Sequence, residues 1–467
     1  MVSGEGDDMK KKKEDIKELR HGARRLSIKE GAFSTVRQSL GDSYLTPFAI
    51  AINSSNFLIG LITSISGLLG PLSQWFSSRL IEKHSRKRIV VTSTLYESLM
   101  WIPLILIGFL FYKGIIIPIL PLLFLLFFSF YIIIANIAAP AWFSWIGDLV
   151  DENYRGKWFS KRNFRLGFVG LLFTFIAAFF LDYFKSKGWT MFGFMTLFFL
   201  AMVARFIARE YFKKSYEPKL VLEGGYYFSF WEFIKKSPRN NFGRYTIFRA
   251  FMNFSVAIAS PFFAVYMLRV LNFNYVTFTT IILSQAFFGL VIMRYWGKFA
   301  DRYGNYAIMR ITFIFIGIYP LLWLVSPSPI YLVFVPELIG GMAWAGFNLA
   351  SGNFIFDCVT PQKRGIVLSY YNVLNGVGIF LGAGLGAILI GVIKINGMES
   401  ILVIFIISAI ARLTTGFVLT PHIKEVRKME SFDSTKALKN LVPIKRINHL
   451  FEGTYELVIG KRFRWKK

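Results

Sequence analysis

The chain has a single cysteine, Cys358, in 467 residues. One thiol can form no intramolecular disulfide and no Cys-rich metal site. The four histidines, His21, His84, His422 and His449, all fall in polar segments, so no metal centre is expected within an apolar interior. No Gly-x-x-x-x-Gly-Lys-Ser/Thr loop occurs, which argues against ATP-driven work by this chain. No cofactor is expected. No cluster of His, Asp or metal-ligand residues converges in the sequence, as a membrane-embedded lipid enzyme would require. Acidic residues are scarce, 27 against 54 Lys and Arg, for a net charge of +27. The first thirty residues are polar and basic and lack the apolar core of a cleavable signal. The first hydrophobic helix is therefore expected to act as the uncleaved insertion signal.

What the chain has in excess is apolar surface: 54% of its residues are hydrophobic and 51 are Phe. The apolar residues come in blocks. Residues 104–126 hold one charge, Lys113, and residues 379–392 and 401–411 hold none. Runs near 20 residues match a helix crossing about 30 Å of hydrocarbon. In lipid, helices satisfy their own backbone hydrogen bonds, so repeated runs of this length predict an all-α membrane bundle. Twelve helices are expected, over 33–53, 57–79, 89–111, 117–146, 160–184 and 189–211, then 242–268, 275–296, 307–325, 329–356, 367–393 and 400–420.

The placement of charge argues against nucleic-acid binding. Lys and Arg concentrate in alternate loops and in the two tails. The odd-to-even connections hold only Lys113, Lys185, Lys187, Arg269 and Lys394, whereas the even-to-odd ones hold runs such as Lys83, Arg86, Lys87 and Arg88. This bias puts both termini in the cytoplasm of a multi-pass plasma-membrane protein. The expected organisation is a basic N-terminal segment (1–30), a first six-helix bundle (31–212), a polar linker (213–241), a second bundle (242–421) and a basic tail (422–467). Ile16, Leu19, Ala23 and Leu26 give the N-terminal segment a narrow apolar face that could rest on anionic lipid headgroups; a solvated tail fits equally.

The two bundles read as a degenerate repeat. Pro47 pairs with Pro261, Glu82 with Asp301, Pro103 with Pro320, Asp148 with Asp357, Arg155-Gly156 with Arg364-Gly365, Asn163 with Asn372, and Ala204-Arg205 with Ala411-Arg412. The offsets stay between 207 and 219.

Between helices 8 and 9 the chain reads Gly297-Lys-Phe-Ala-Asp301-Arg302-Tyr-Gly304. This resembles the Gly-x-x-x-Asp-Arg-x-Gly loop signature of the major facilitator superfamily. The equivalent loop of the first half reads Ser78-Arg-Leu-Ile-Glu82-Lys83-His-Ser85, with Ser for both glycines, Glu for Asp and Lys for Arg. The resemblance implies a transporter, secondary active or facilitative, that moves a small molecule by alternating access through a cavity lined by helices 1, 4, 7 and 10. It implies a cytoplasmic gate built from Gly297, Asp301, Arg302, Gly304, Glu82, Lys83, Asp148, Arg155, Asp357 and Arg364. Gly297 and Gly304 would supply close approach and positive φ, and Asp148 and Asp357 would be partners for the loop cations. A tight turn with solvated charges is the plainer alternative. The expected partners are a small-molecule substrate, membrane lipid and, in the ion-coupled case, a proton or other ion; the chain is expected to act as a monomer. A non-transporting sensor or a lipid scramblase on the same fold is the rival function.

A charge near mid-membrane costs about 2.5–3.5 kcal/mol on insertion scales, so it faces protein or water. Helix 1 is the most polar span, with Gln38, Asp42, Thr46 (or Leu45), Ala49 and Asn53 at three- or four-residue spacing. Asp42 would carry a coupling proton, bind a cationic substrate group, or pair with another helix. Arg37 lies five residues earlier, roughly 140° around a continuous helix, and need not pair with it. Arg249 and Asn253 on helix 7, Asn136 on helix 4, Gln285 on helix 8 and Asn348 on helix 10 are further cavity candidates, each also explained by an interhelical hydrogen bond. Glu97 and Glu337 read the same way, while Arg205 and Arg412 read as anchors at helix ends. Trp142, Trp145 and Trp344 would line the cavity or pack in the core. Glycines 376, 378, 382, 384 and 386 make helix 11 smooth enough for close packing.

The topology carries a direct test. In a Cys358-free background, an impermeant thiol reagent applied from outside the cell should label Ser186→Cys and leave Ser229→Cys unlabelled. The reverse pattern would overturn the orientation.

Overall fold

A computed structural model describes the backbone of residues 3–81, 83–218, 229–393, 399–427 and 429. Side chains at 3–14, 16, 78–79, 152–153, 155–156, 361–362 and 364–365 lie outside the description. The described residues form helices and turns, without strands. In the first half, α1 comprises Ser3–Leu40, a turn at Asp42–Tyr44 and Leu45–Ala51. Helices α2 (Asn56–Leu80), α3 (Arg86–Leu99 and Trp101–Tyr112), α4 (Leu120–Asp148), α5 (Glu152–Ser186) and α6 (Thr190–Lys214) follow. The second half has α7 (Asn241–Ala257, Phe262–Val265 and Tyr266–Val270), α8 (Tyr275–Tyr303), α9 (Asn305–Leu322), α10 (Pro329–Phe334 and Pro336–Cys358), α11 (Pro361–Val392) and α12 (Ser400–Leu419). Among the described residues eleven spans are long and apolar enough to cross a membrane. The twelfth is α1, which is broken at membrane depth.

Proline explains the breaks. A ring at position i removes the bond to the carbonyl at i−4 and clashes with it. Pro47 follows the α1 break, and its repeat partner Pro261 sits at the break in α7. Pro103 follows the interruption of α3 at Met100, and Pro336 restarts α10.

The halves are related by packing as well as by sequence. In the first, α1 packs on α5 and α6, α2 on α4, and α3 on α4 and α6. In the second, α7 packs on α11 and α12, α8 on α10, and α9 on α10 and α12. Adding six to each number turns one set of contacts into the other. The halves meet through α2–α11 and α5–α8, two contacts that the same operation exchanges.

The described parts of both terminal segments, of the linker and of the even-to-odd loops share one face, the terminal face. Arg20, midway along the Ser3–Leu40 helix of α1, lies 4.0 Å from Asp151 after α4. Asn241, which opens α7, bonds Lys424 in the tail at 2.8 and 2.9 Å. The segment that reads as a polar linker contains a short helix, Phe230–Lys236, capped by Ser229. Its Phe230 and Phe233 rings pack on Tyr370 of α11. The N-terminal segment continues α1 without interruption, and its apolar face is divided: Ala23 turns inward, Leu26 is half-buried and Leu19 is exposed, while the Ile16 side chain lies outside the described residues. Ala23 is buried in one cluster with Trp145, Val150 and Trp158. That packing leaves no free stripe at Ala23 for lipid headgroups.

Helix α11 carries a glycine at every fourth residue against α7. A side chain at Gly378, Gly382 or Gly386 would collide with the carbonyl oxygen of Ala250, Phe254 or Ile258. On the next face Gly376 meets the Gly67 carbonyl and Pro71 of α2. We expect Gly382→Leu to cost at least about 1–3 kcal/mol by overpacking, read as a fall in thermal midpoint. Gly391→Leu, with nothing within 4 Å of its added carbon, should leave the midpoint unchanged.

Candidate functional site: a buried charge network beside the central seam

The break in α1 decides the chemistry of the first half. The Gly41 N–H still bonds the Arg37 carbonyl at 2.8 Å, and the chain then tightens into the Asp42–Tyr44 turn. That turn swings Asp42 back over its own helix. Arg37 Nη1 sits 2.8 Å from Asp42 Oδ2. The expectation that the two need not pair is corrected: it assumed a continuous helix. The same break disperses the polar stripe. Gln38 is exposed, and Thr46 is partly buried on the segment beyond the turn.

Arg37 reaches further. Its Nη1 lies 3.0 Å from Glu97 Oε1 of α3, an ion contact that makes no hydrogen bond. Tyr131 of α4 bonds both Arg37 and Asp42. Glu97, 1% exposed, receives Arg205 of α6 on its other oxygen at 2.6 and 2.9 Å. Arg205 also donates to Ser34 at 2.8 Å. Glu30 continues the chain, bonding Arg162 of α5 at 2.9 Å and accepting from Trp142 at 3.2 Å. The Arg162 guanidinium stacks 5.0 Å from the Trp142 ring. Three carboxylates and three guanidiniums thus form one neutral network across α1, α3, α4, α5 and α6. Arg205, expected as a terminal anchor, is instead buried inside it, because Glu97 removes any need to snorkel. A cavity of about 280 Å³ opens beside the network, lined among others by Glu30, Arg37, Gln38, Trp142, Arg162 and Arg205.

The second half repeats the frame with different groups. Arg412, the partner of Arg205, is also buried and not an end anchor. Position 316 stands 219 after 97, the offset of Glu82 and Asp301, and holds Ile. Arg412 bonds the Ile316 carbonyl at 3.1 Å, the Val256 carbonyl at 3.3 Å and Ser408 at 3.0 Å. Arg249 of α7, 212 after Arg37, donates to Tyr371 at 3.2 Å and lies 4.7 Å from the Phe347 ring. Asn253 donates to Asn375 at 3.0 Å. Asn348 is exposed one turn from Trp344, which packs on Phe347. Two other candidates serve helix contacts away from the seam: Asn136 accepts from Gln74 at 2.9 Å, and Gln285 donates to Glu337 at 2.7 Å.

Among the described residues, the charged contacts at the terminal face join groups of the same half. In the first, buried Arg86 bonds Asp148 at 2.5 Å, and its backbone N–H bonds Glu217 after α6 at 2.8 Å. In the second, Asn305 and Arg427 both bond Asp357, at 2.8 and 2.6 Å, and Glu425 after α12 accepts from the Tyr306 N–H at 2.8 Å. The bond to Asp357 raises the pKa of the Arg427 guanidinium. Glu217 and Glu425 are equivalents that each place a carboxylate at a helix N-terminus, where it is favoured. Asp148 is held by the loop cation Arg86, whereas the cation on Asp357 is Arg427 of the tail. Gly304 has φ of +85° and ends α8, whereas Gly297 lies inside that helix, where a Cβ would meet nothing within 4 Å. Close approach and positive φ therefore belong to Gly304 alone. Asp301, Arg302 and Lys83 are exposed, with Arg302 5.2 Å from the Tyr303 ring. Glu82 and the side chains of Arg155 and Arg364 lie outside the described residues.

The opposite, far face carries contacts that sequence reasoning missed. Asp182 at the end of α5 accepts the Tyr275 and Val276 N–H groups of α8 at 2.7 and 2.8 Å, beside the Asn274 cap. Arg269 of α7 bonds Asn56 and the Ser54 carbonyl at 2.5 and 2.8 Å. Tyr44 bonds Thr279 at 3.1 Å. All three cross between halves. Only Asp182 and Asn274, flanking apolar runs, left a trace in the sequence.

Removing one member of a buried ion pair costs about 3–5 kcal/mol. Glu97→Gln should therefore lower the thermal midpoint sharply, since two guanidiniums lose their shared charge. Glu97→Leu combined with Arg205→Met should recover part of that loss. A single variant as stable as the parent would contradict the network.

The sequence matches the profile of the Major Facilitator Superfamily over residues 32–383 and 246–460. No curated protein matches it significantly. The fold is similar to that of a variant of the nucleoside transporter NupG, with a TM-score of 0.64 and 14% identity, covering 85% of this chain and 100% of that one. It is also similar to a bacterial homologue of the iron transporter ferroportin in an inward-facing state, at 0.61 and 13%, covering 86% and 98%. A bacterial homologue of the lysosomal transporter Spinster, inward-facing and unoccupied, gives 0.55 and 14%, covering 88% and 99%. With the profile covering most of its length and both halves built to one plan, the chain belongs to the Major Facilitator Superfamily of membrane transporters.

Proposed function

We propose that this transporter moves a small molecule by rocking its two halves about the α2–α11 and α5–α8 contacts, and that the present conformation is closed at the far face. The halves are 31–212 and 242–421, joined by 213–241. The observation that carries the reading is the far-face lock. Asp182, Arg269 and Tyr44 each bond across the seam there, while the charged clusters of the terminal face bond inside single halves. The cation bias of the loops assigns the terminal face to the cytoplasm of a plasma-membrane protein. Under that assignment the state is inward-facing, and the cavity beside Arg37 and Gln38 is reached from the cytoplasm. Alternating access requires the lock to break and an equivalent closure to form opposite it. Loop residues Asp301, Arg302, Gly304, Glu82, Lys83, Arg155 and Arg364 are proposed to meet across the seam in that second state. A coupling ion, bound lipid and a monomeric carrier complete the proposal. A sensor or scramblase on this fold would show no saturable, trans-stimulated uptake.

The lock is testable without knowing the substrate. Ile59, 1% exposed on α2, reports opening of the far face. In a Cys358→Ser background, Ile59→Cys should react slowly with an impermeant thiol reagent. Charge-assisted hydrogen bonds contribute about 1.5–3 kcal/mol each, so adding Asp182→Asn and Arg269→Gln should raise the labelling rate roughly tenfold or more. Labelling unchanged by releasing the lock would remove these residues from gating.

A further inference from the structure

The two halves differ in how they treat the arginine on their first helix. Arg37 faces two carboxylates and a tyrosine. Arg249, its equivalent, faces none: its partners are the Tyr371 hydroxyl and the Phe347 ring, and its Nη1 is buried with no hydrogen-bond partner. Among the described residues no carboxylate lies within ion-pair distance of it. The charged groups of the elements around it are committed elsewhere. On α10, Glu337 takes Gln285 and Tyr319, and Asp357 takes Asn305 and Arg427. On α12, Arg412 takes carbonyls and Ser408. A half-buried guanidinium with one buried, unbonded nitrogen and no counter-charge is costly at membrane depth, and an incoming anion reduces that cost.

The place fits a ligand. Arg249 and Asn253 stand one turn apart on α7, partly exposed, at the junction with α10 and α11. Asn375, which Asn253 bonds, adjoins Gly376, where α11 crosses α2 of the other half. The opposite half contributes a cavity whose lining holds three guanidiniums, Arg37, Arg162 and Arg205, and one carboxylate, Glu30. Those three are already balanced by Glu30, Asp42 and Glu97, so the guanidinium left without a counter-charge here is Arg249, with the Phe347 and Trp344 rings nearby.

We infer that the substrate is a small organic anion, a carboxylate or phosphate ester, whose charged group binds Arg249. The inference rests on the transporter reading and deepens it. Planar oxyanions match the guanidinium fork, and each such bond is stronger than a neutral one. The Phe347 and Tyr371 contacts hold the guanidinium plane in place before the anion arrives.

The test uses four probes of one shape on the purified full chain: benzoate, phenyl phosphate, benzamide and benzylamine. Binding is read as a concentration-dependent rise in thermal midpoint. Benzoate or phenyl phosphate should stabilise the parent protein, and the stronger of the two names the headgroup. Benzamide and benzylamine should not. Arg249→Gln should weaken the anion effect about tenfold or more. Asn253→Asp, isosteric though it gives up the N–H bond to Asn375, sets a carboxylate one turn from Arg249 and should do the same, a second variant of unchanged shape beside Arg249→Gln. Arg249→Lys should retain part of the effect. Equal response to all four probes, preference for benzamide or benzylamine, no response to either anion, or anion binding undiminished in Asn253→Asp would overturn the inference. The Ile59→Cys labelling is independent of Arg249, so failure of the lock and failure of the anion site are separate results.

Discussion

Glu97 holds two guanidiniums at once, and the first half is organised around that fact. A lone charge inside a helical bundle is expensive. One carboxylate between Arg37 and Arg205 makes three such charges tolerable, and Asp42 restores neutrality. The contact also fixes geometry, since it ties α1, α3 and α6 together at one depth. Tyr131 adds α4. The break at Gly41 is part of the same arrangement: a straight α1 would point Asp42 away from Arg37 and leave a carboxylate to find another partner.

The second half shows what happens when that carboxylate is absent. Ile316 stands where Glu97 stands, and Arg412 survives by taking carbonyls and a serine. The frame is therefore independent of the charges placed on it. Helix contacts, the paired proline breaks and the paired glutamates Glu217 and Glu425 all obey the repeat. The charge pattern does not. One half is internally neutral and densely bonded, while the other leaves a guanidinium with unused donors beside the seam. Two halves with one shape and different charge can move as equivalent bodies and still present different chemistry to a ligand.

Much of this is legible from the residues. The apolar runs locate the twelve helices, since length and lipid leave few alternatives, and Pro47 with Pro261 or Asp148 with Asp357 expose the duplication. What escapes is tertiary. The Arg37–Asp42 pair is lost when a uniform helical angle is carried through a break that Pro47 already signals. Arg205 and Arg412 look like anchors because position along a helix says how deep a residue lies, not which face it turns or what it meets. Asp148 does meet a loop cation, Arg86, but Asp357 is taken by Arg427, and Glu217 and Glu425 join these clusters from segments that look like linker and tail. The far-face lock joins Asp182 to α8 and Arg269 to the α1–α2 turn, across about 90 and 215 positions, beyond any local pattern.

The placement of these bonds constrains how the molecule can move. Charge clusters at the terminal face lie within single halves, so they stiffen each half and travel with it. Among the described residues, the ion pairs of these clusters do not cross from one half to the other. The bonds that oppose rocking are those at the far face and along the glycine-lined α2–α11 crossing. At that crossing backbone contact through Gly67 and Gly376 brings the helices close, and one side-chain bond, Ser64 Oγ to the Phe380 carbonyl at 2.7 Å, spans it. At the far face Asp182 must leave two N–H groups at once, and Arg269 must leave a carbonyl and an amide. In the proposed rocking motion, a lock that releases all at once favours two discrete states over a continuum, and its strength bears on which of them is populated when nothing is bound.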